Sequence, residues 1–205
     1  MTRHVRSWVL AALAVFALAG TAALPAKRFV RFMAKREIFD HPVAGPLMRG
    51  MRHISVDRKN GAPSFVEALK HLQSGEIVGI FPEATISRSF ELKEMKSGVT
   101  RLAIDSSAPV LPTIIWGSQR IWTKKVARDF SRSSYPISIY IGAPLFFRAD
   151  PEGSLVELKN AMQELLDKAI NDYPDSPIGQ RWAPARIGGT APTPAMIEDE
   201  RRKEI

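Results

Sequence analysis

Cysteine is absent from all 205 residues, which excludes disulfides, thiolate metal sites and a cysteine nucleophile. Its absence leaves the cellular compartment open. The chain also lacks a Gly-x-Ser-x-Gly elbow, a Walker-type phosphate loop and a His-Glu-x-x-His pair, so serine-hydrolase, nucleotide and zinc readings have no support. Acidic residues are in the minority: 29 lysines and arginines stand against 21 aspartates and glutamates, a formal charge of +8. A surplus of that size points to an anionic partner, whether a phospholipid surface, a phosphorylated substrate or nucleic acid. No recognised nucleic-acid motif accompanies the charge, and nucleic acid is set aside. No internal repeat is visible.

What the chain does have is one stretch in which apolar and reactive residues adjoin. Ile77 to Phe81 reads as a buried strand, and Pro82 stops it because proline cannot donate a ladder hydrogen bond. Directly after it come a carboxylate (Glu83), hydroxyls (Thr85, Ser87, Ser89) and a guanidinium (Arg88). Open α/β sheets place ligands at this end of a strand.

The surrounding pattern alternates strands and helices. Val30 to Lys35 reads as a strand, and Ser64-Phe-Val-Glu67 as a capping box opening a helix that Gly75 ends. That helix would be the crossover of a βαβ unit with a parallel strand pair. Lys96-Ser-Gly98 opens another helix through Val99, Leu102 and Ala103, and a helix N-terminus beside a lysine attracts anions. Pro109 to Trp116 and Pro136 to Gly142 read as two further strands. Ser154-Leu-Val-Glu157 is a second capping box, before a closing helix whose apolar face is Leu155, Leu158, Met162, Leu165, Leu166 and Ile170. The fold class expected is α/β, a mixed, partly parallel sheet flanked by helices. Three regions follow: an apolar N-terminal segment over 1–29, a domain over 30–173, and a Pro-rich, charged tail over 174–205.

Phe81-Pro-Glu-Ala-Thr-Ile-Ser-Arg-Ser89 resembles the acceptor-binding motif, commonly Phe-Pro-Glu-Gly-Thr-Arg-Ser, of the phospholipid/glycerol acyltransferases that make phosphatidic acid from lysophosphatidic acid. Ala84 stands where the motif has Gly, and Ile86 where it has Arg, with Arg88 two places on as a substitute. A loop built on Ala84 cannot take glycine's positive φ without strain. The resemblance continues through Phe32 to Phe39, Pro42 to Arg49 and His53-Ile-Ser-Val-Asp-Arg58, similar to the family's second block, and through Pro109 to Trp116, similar to its last.

The resemblance implies acyl transfer from acyl-CoA or an acyl carrier protein thioester to a lysophosphatidate-like acceptor, with no metal and no further cofactor. It implies an acceptor-phosphate role for Arg58, Lys96 and Arg88, and a positioning role for Glu83 and Thr85. The residues alone leave Arg58 equally suited to an ion pair with Asp57 or Glu83, and Lys96 to solvent. The family's general base is the His of a His-x-x-x-x-Asp motif. Here His4 is the candidate and its Asp is missing, since the fifth residue on is Val9.

Trp8 to Leu24 is nearly all apolar between basic flanks, which fits a signal or anchor as well as the remains of the family's helix. Aromatic and basic residues mix from Gly117 to Lys125, as at an anionic membrane surface. Attachment at the cytoplasmic face of a membrane is expected. Two alternatives stand beside the enzyme: a non-catalytic lysophospholipid or phosphatidate binder, and an exported basic protein.

Overall fold

The computed structural model describes residues 27–121, 123 and 135–203. His4, the apolar run Trp8 to Leu24, residue 122 and residues 124–134 lie outside them. The described elements are β1 (Val30–Lys35), α1 (Arg36–Phe39), α2 (Ala44–Gly50), β2 (Ile54–Val56), α3 (Ala62–Gln73), β3 (Ile77–Gly79), α4 (Gly98–Ser106), β4 (Thr113–Trp116), β5 (Ser138–Ile141), α5 (Pro151–Asn171) and α6 (Pro194–Lys203).

β1 is the centre of a parallel sheet ordered β2-β1-β3. Its first half, Val30 to Phe32, pairs with Ile77 to Gly79, and its second half, Met33 to Lys35, with Ile54 to Val56. Alternation along β1 feeds two cores, as expected of a parallel sheet covered on both faces. Phe32 and Ala34 pack with Phe39 and Met48 of α1 and α2, while Met33 turns the other way towards Ile54, Ala68 and Leu102. The crossover helix α3 is where the sequence places it, but the strands it joins flank β1 and do not pair with each other.

Pairing of β3 stops at Gly79, before Pro82 is reached, because β1 meets it only as far as Phe32. Glycine is required at 79: a Cβ there would lie 2.4 Å from the Phe32 ring. Helix α3 closes on Gly75 at φ +75, with the Gly75 N–H donating to Leu72 and the Glu76 N–H to His71, a Schellman end that aims the chain into β3.

β4 and β5 form a separate antiparallel pair, Thr113 opposite Ile141 and Trp116 opposite Ser138, and α5 packs on it through Leu166 and Ala169. Neither serine box caps its helix. Gly61 and Asp150 hold the N-cap positions, Pro63 and Pro151 sit in the first turns, and the Ser64 and Ser154 hydroxyls donate back to the Gly61 and Ala149 carbonyls. Proline's fixed φ and missing donor suit a first turn, so both helices begin earlier than the serines.

The segment after Tyr173, expected as a tail, packs on the core that α5 makes with β4 and β5. Ala183 and Pro184 are fully buried, Trp182 meets Tyr173 at 5.3 Å between rings, and the Arg120 guanidinium lies 4.7 Å from the Trp182 ring centre. Its Pro-rich, charged composition does not keep this segment free, because a few large contacts anchor it. Among the described residues, no helix is long and apolar enough to cross a membrane.

Candidate functional site

The carboxyl ends of the three parallel strands present a charged residue each or lead directly to one. β1 runs into Arg36, β2 into Asp57-Arg58, and β3 into the Phe81–Ser89 loop. The loop begins as a tight turn in which the Ala84 N–H donates to the Phe81 carbonyl at 3.0 Å. Ala84 sits at φ +54. The backbone therefore keeps the left-handed turn that glycine allows, and the alanine bears the strain.

Several contacts hold the loop against the domain. Phe81 stacks on Phe32 of β1, centroids 5.9 Å apart and planes at 20°. The Lys96 N–H donates to the Pro82 carbonyl at 3.1 Å, so the residues before α4 close on the turn. Glu83 accepts from the Lys93 N–H at 3.2 Å through Oε1. Burial pushes the Glu83 carboxyl above its usual range, against the opposing pull of the Lys93 N–H and charge.

Arg58 reaches across from the end of β2 and its Nη2 donates to the Ala84 carbonyl. Neither acid expected as its partner takes it: Asp57 pairs with Arg36 at 3.5 Å and Glu83 is turned to Lys93. Lys96 is exposed where its backbone meets the turn, and Thr85 is exposed at the tip. Ser87 and Ser89 share a hydrogen bond of 3.0 Å, with Ser89 buried. Arg88 is taken by Glu200 of α6, at 2.6 Å from Nη1.

The structure thus brings Arg58, Glu83, Thr85 and Lys96 to one loop, and leaves Arg88 in it but engaged. His4 lies outside the described residues. Sequence reading missed Arg36, although alternation along β1 ends on it, and missed Glu200, for which the sequence carries no signal. At the carboxyl ends of β1 and β2, a cleft of about 310 Å³ is lined by Arg36, Ser55, Asp57, Asn60, Pro63 and Ser64. A larger hollow of about 540 Å³ adjoins it over α3, sharing Asn60 and Pro63. The smaller cleft is the better candidate because it lies at the strands' carboxyl ends, with a guanidinium in its wall.

The described histidines are all occupied. His53 is buried and its Nδ1 accepts from the Phe32 N–H at 3.1 Å; His71 meets Glu76 at 2.6 Å; His41 Nδ1 accepts from the Val43 and Ala44 N–H groups, each at 3.2 Å. Burial, with Arg31 nearby, lowers the His53 pKa below its usual value. None of the three belongs to the loop. Among the described residues no cluster of three His, Asp or Glu side chains could hold a metal. The loop gathers Arg58, Arg88 and Lys96 around one partly buried carboxylate and several hydroxyls, a set of groups chemically able to pair with an anion.

The chain is 36% identical over 89 residues to the 1-acyl-sn-glycerol-3-phosphate acyltransferase of Bacillus subtilis, covering 43% of this chain and 44% of that one. It is 35% identical over 100 residues to the enzyme of the same name from Limnanthes douglasii, covering 47% and 36%. An uncharacterized protein of Mycobacterium tuberculosis is 30% identical over 141 residues, covering 63% and 36%. The matches thus span less than half the length of these curated relatives. The crystal structure of the lysophosphatidate acyltransferase PlsC from Thermotoga maritima shares the fold, at a TM-score of 0.55 and 20% identity, over 70% of this chain and 58% of that one. The Acyltransferase family model matches residues 11–116, more than half of the sequence, and the chain belongs to that family.

Proposed function

We propose that this protein transfers a fatty acyl group from acyl-CoA or an acyl carrier protein thioester to the free hydroxyl of a lysophosphatidate-like acceptor, working at the cytoplasmic face of an anionic membrane. The observation that carries the reading is the convergence of Arg58 and the Lys96 backbone on the turn at Pro82–Ala84. The Arg58 guanidinium and the Lys96 backbone N–H, from separate elements, meet the turn that carries Glu83 and Thr85. The names of the Bacillus and Limnanthes relatives support it.

In the reaction, the acceptor hydroxyl attacks the thioester carbonyl, a new C–O bond forms, the C–S bond breaks, and the hydroxyl proton ends on the departing thiolate. Arg58 and Lys96 neutralise the acceptor phosphate, and Arg88 joins them once it is free of Glu200. Glu83 and Thr85 hold the glycerol end. His4 is the candidate for the base that carries the proton. No metal or further cofactor enters this scheme.

A second reading has its own observation. The Asp partner of His4 is missing from the sequence, and the three described histidines are engaged elsewhere. A member that binds lysophosphatidate without turning it over fits those facts. Acyl transfer from labelled acyl-CoA, and separately from an acyl carrier protein thioester, to lysophosphatidic acid decides between them. Turnover that falls in Glu83→Ala establishes the enzyme. Binding without turnover, lost in Arg58→Ala, establishes the binder. Neither turnover nor binding defeats both.

A further inference from the structure

Helix α2 and its two cap residues, Val43 and Met51, carry apolar side chains on two faces, and among the described residues only one face is packed. Ala44, Gly45 and Met48 are buried, Met48 in the core under β1. On the outside, Val43, Leu47 and Met51 follow one another at helical spacing and are 76%, 49% and 44% exposed. An amphipathic surface helix would carry polar residues at these positions. The stripe has an extension: the Arg31 side chain donates to the Met51 carbonyl at 2.8 Å, which joins the end of α2 to the start of β1, and Phe29, just before β1, is 79% exposed.

Charge around the stripe is predominantly basic. Between residues 27 and 52 the sequence carries seven basic side chains, Lys27, Arg28, Arg31, Lys35, Arg36, Arg49 and Arg52, against two acids, Glu37 and Asp40. From outside this segment Glu76 pairs with Arg31 at 3.0 Å and Arg52 at 3.7 Å, and Asp57 with Arg36 at 3.5 Å, which leaves Lys27, Arg28 and much of Arg52 to solvent. Lys27, Arg28 and Arg52, beside Phe29 and Met51 in sequence, are exposed. Such a surface repels a second copy of itself, whereas an anionic bilayer satisfies both its apolar stripe and its basic rim. The placement also suits the site. β1 and β2 are parallel, and α1 and α2 span the connection between them, so α2 returns from the carboxyl end of β1, where Arg36 stands, to the amino end of β2.

We propose that Val43, Leu47, Met51 and Phe29 form the face on which this protein docks on an anionic lipid bilayer, with Lys27, Arg28 and Arg52 at its rim. This deepens the reading of the protein as a lysophosphatidate acyltransferase. The face runs from the site's end of the sheet to the opposite end, so a bilayer lying along it brings lipid acceptors towards Arg36 and Arg58 with their acyl chains still in the membrane.

The test is co-sedimentation of the full chain with vesicles of phosphatidylcholine alone and of phosphatidylcholine with phosphatidylglycerol. The L47E/M51E double variant is compared with parent, and I178E, at an exposed apolar residue away from α2, is the control. Acyl transfer to a short-chain, water-soluble lysophosphatidate is measured in parallel. The expected result is stronger partition onto the anionic vesicles, a drop of about tenfold or more in L47E/M51E and none in I178E, with short-chain transfer unchanged. Partition that L47E/M51E leaves intact would overturn the proposal, because another part of the chain would then hold the membrane. A parent dimer by light scattering that L47E/M51E dissociates would overturn it in favour of a second copy. If the parent shows no short-chain transfer but its anionic partition still falls in L47E/M51E, the docking face stands and the acyltransferase reading fails.

Discussion

Glu200 of the last helix grips Arg88 of the β3 loop in a fork, one carboxylate oxygen 2.6 Å from Nη1 and the other 3.5 Å from Nη2. Two oxygens on one guanidinium is also the geometry a phosphate asks for, so the acceptor proposed above would compete with Glu200 for Arg88. The Glu200 side chain is about half exposed and the pair is correspondingly weak. Replacing Glu200 with Gln should lower the acceptor KM about two- to fivefold at low salt with kcat unchanged, and Arg88→Ala should raise it. An acceptor KM that neither variant moves would remove Arg88 from the site.

That pair shows where sequence reading stops. Residues 88 and 200 are joined by the way the chain folds back after Tyr173, and the Pro-rich composition of 174–205 suggests no such return. Local signals fared better: β1 runs over the residues its apolar pattern predicts, α4 opens at Gly98, and α3 ends on Gly75. The same local reading misplaced two helix starts, because Pro63 and Pro151 outweighed Ser64 and Ser154. At the site, Glu83, Thr85 and Arg88 were visible as one contiguous motif. The reach of Arg58 to the Ala84 carbonyl spans 26 residues and depends on β2 and β3 flanking β1.

Ala84 supplies a stability prediction. At φ +54 its Cβ crowds the backbone, a cost of about 1–2 kcal/mol that glycine does not bear. Glycine loses about 0.5–1 kcal/mol of this advantage to its freer unfolded chain. Ala84→Gly should therefore stabilise by about 0.5–1 kcal/mol, or raise Tm by about 1–4 °C. Thermal unfolding checks it; a lower Tm would mean the turn is not left-handed at this residue.

His53 makes stability fall on the acid side. Its folded pKa is depressed, so below the usual value of 6.5 the unfolded chain binds the proton that the native ring refuses. The contribution is whole above pH 6.5 and is lost as pH falls from there towards the native pKa. Glu76, held near a pKa of about 2 chiefly by the hydrogen bond from Arg31, adds a separate loss only below 4.5. His53→Asn keeps an acceptor for the Phe32 N–H and should flatten the upper part of this decline in Tm against pH, at about 1 kcal/mol for the ring's contact with Phe32, 5.6 Å between centroids. An unchanged profile between pH 6.5 and 4.5 would assign the decline to other groups.

Glu83 should trade stability for function. Burial raises its folded pKa, so between 4.5 and that value the native state holds a proton the unfolded chain has released. Its contribution is whole below pH 4.5 and is lost as pH rises through the folded pKa, above which the charge is carried partly buried. Glu83→Gln removes the charge and keeps an oxygen for the Lys93 N–H, so its Tm should gain on the parent's as pH rises above 4.5 and meet it below 4.5. The same variant gives up the carboxylate proposed to hold the acceptor's glycerol end, so acceptor KM should rise as stability does. A Gln variant that is more stable and fully active would make Glu83 a strut of the loop alone. One that is less active and no more stable would mean that the carboxylate's contacts outweigh the cost of burying it.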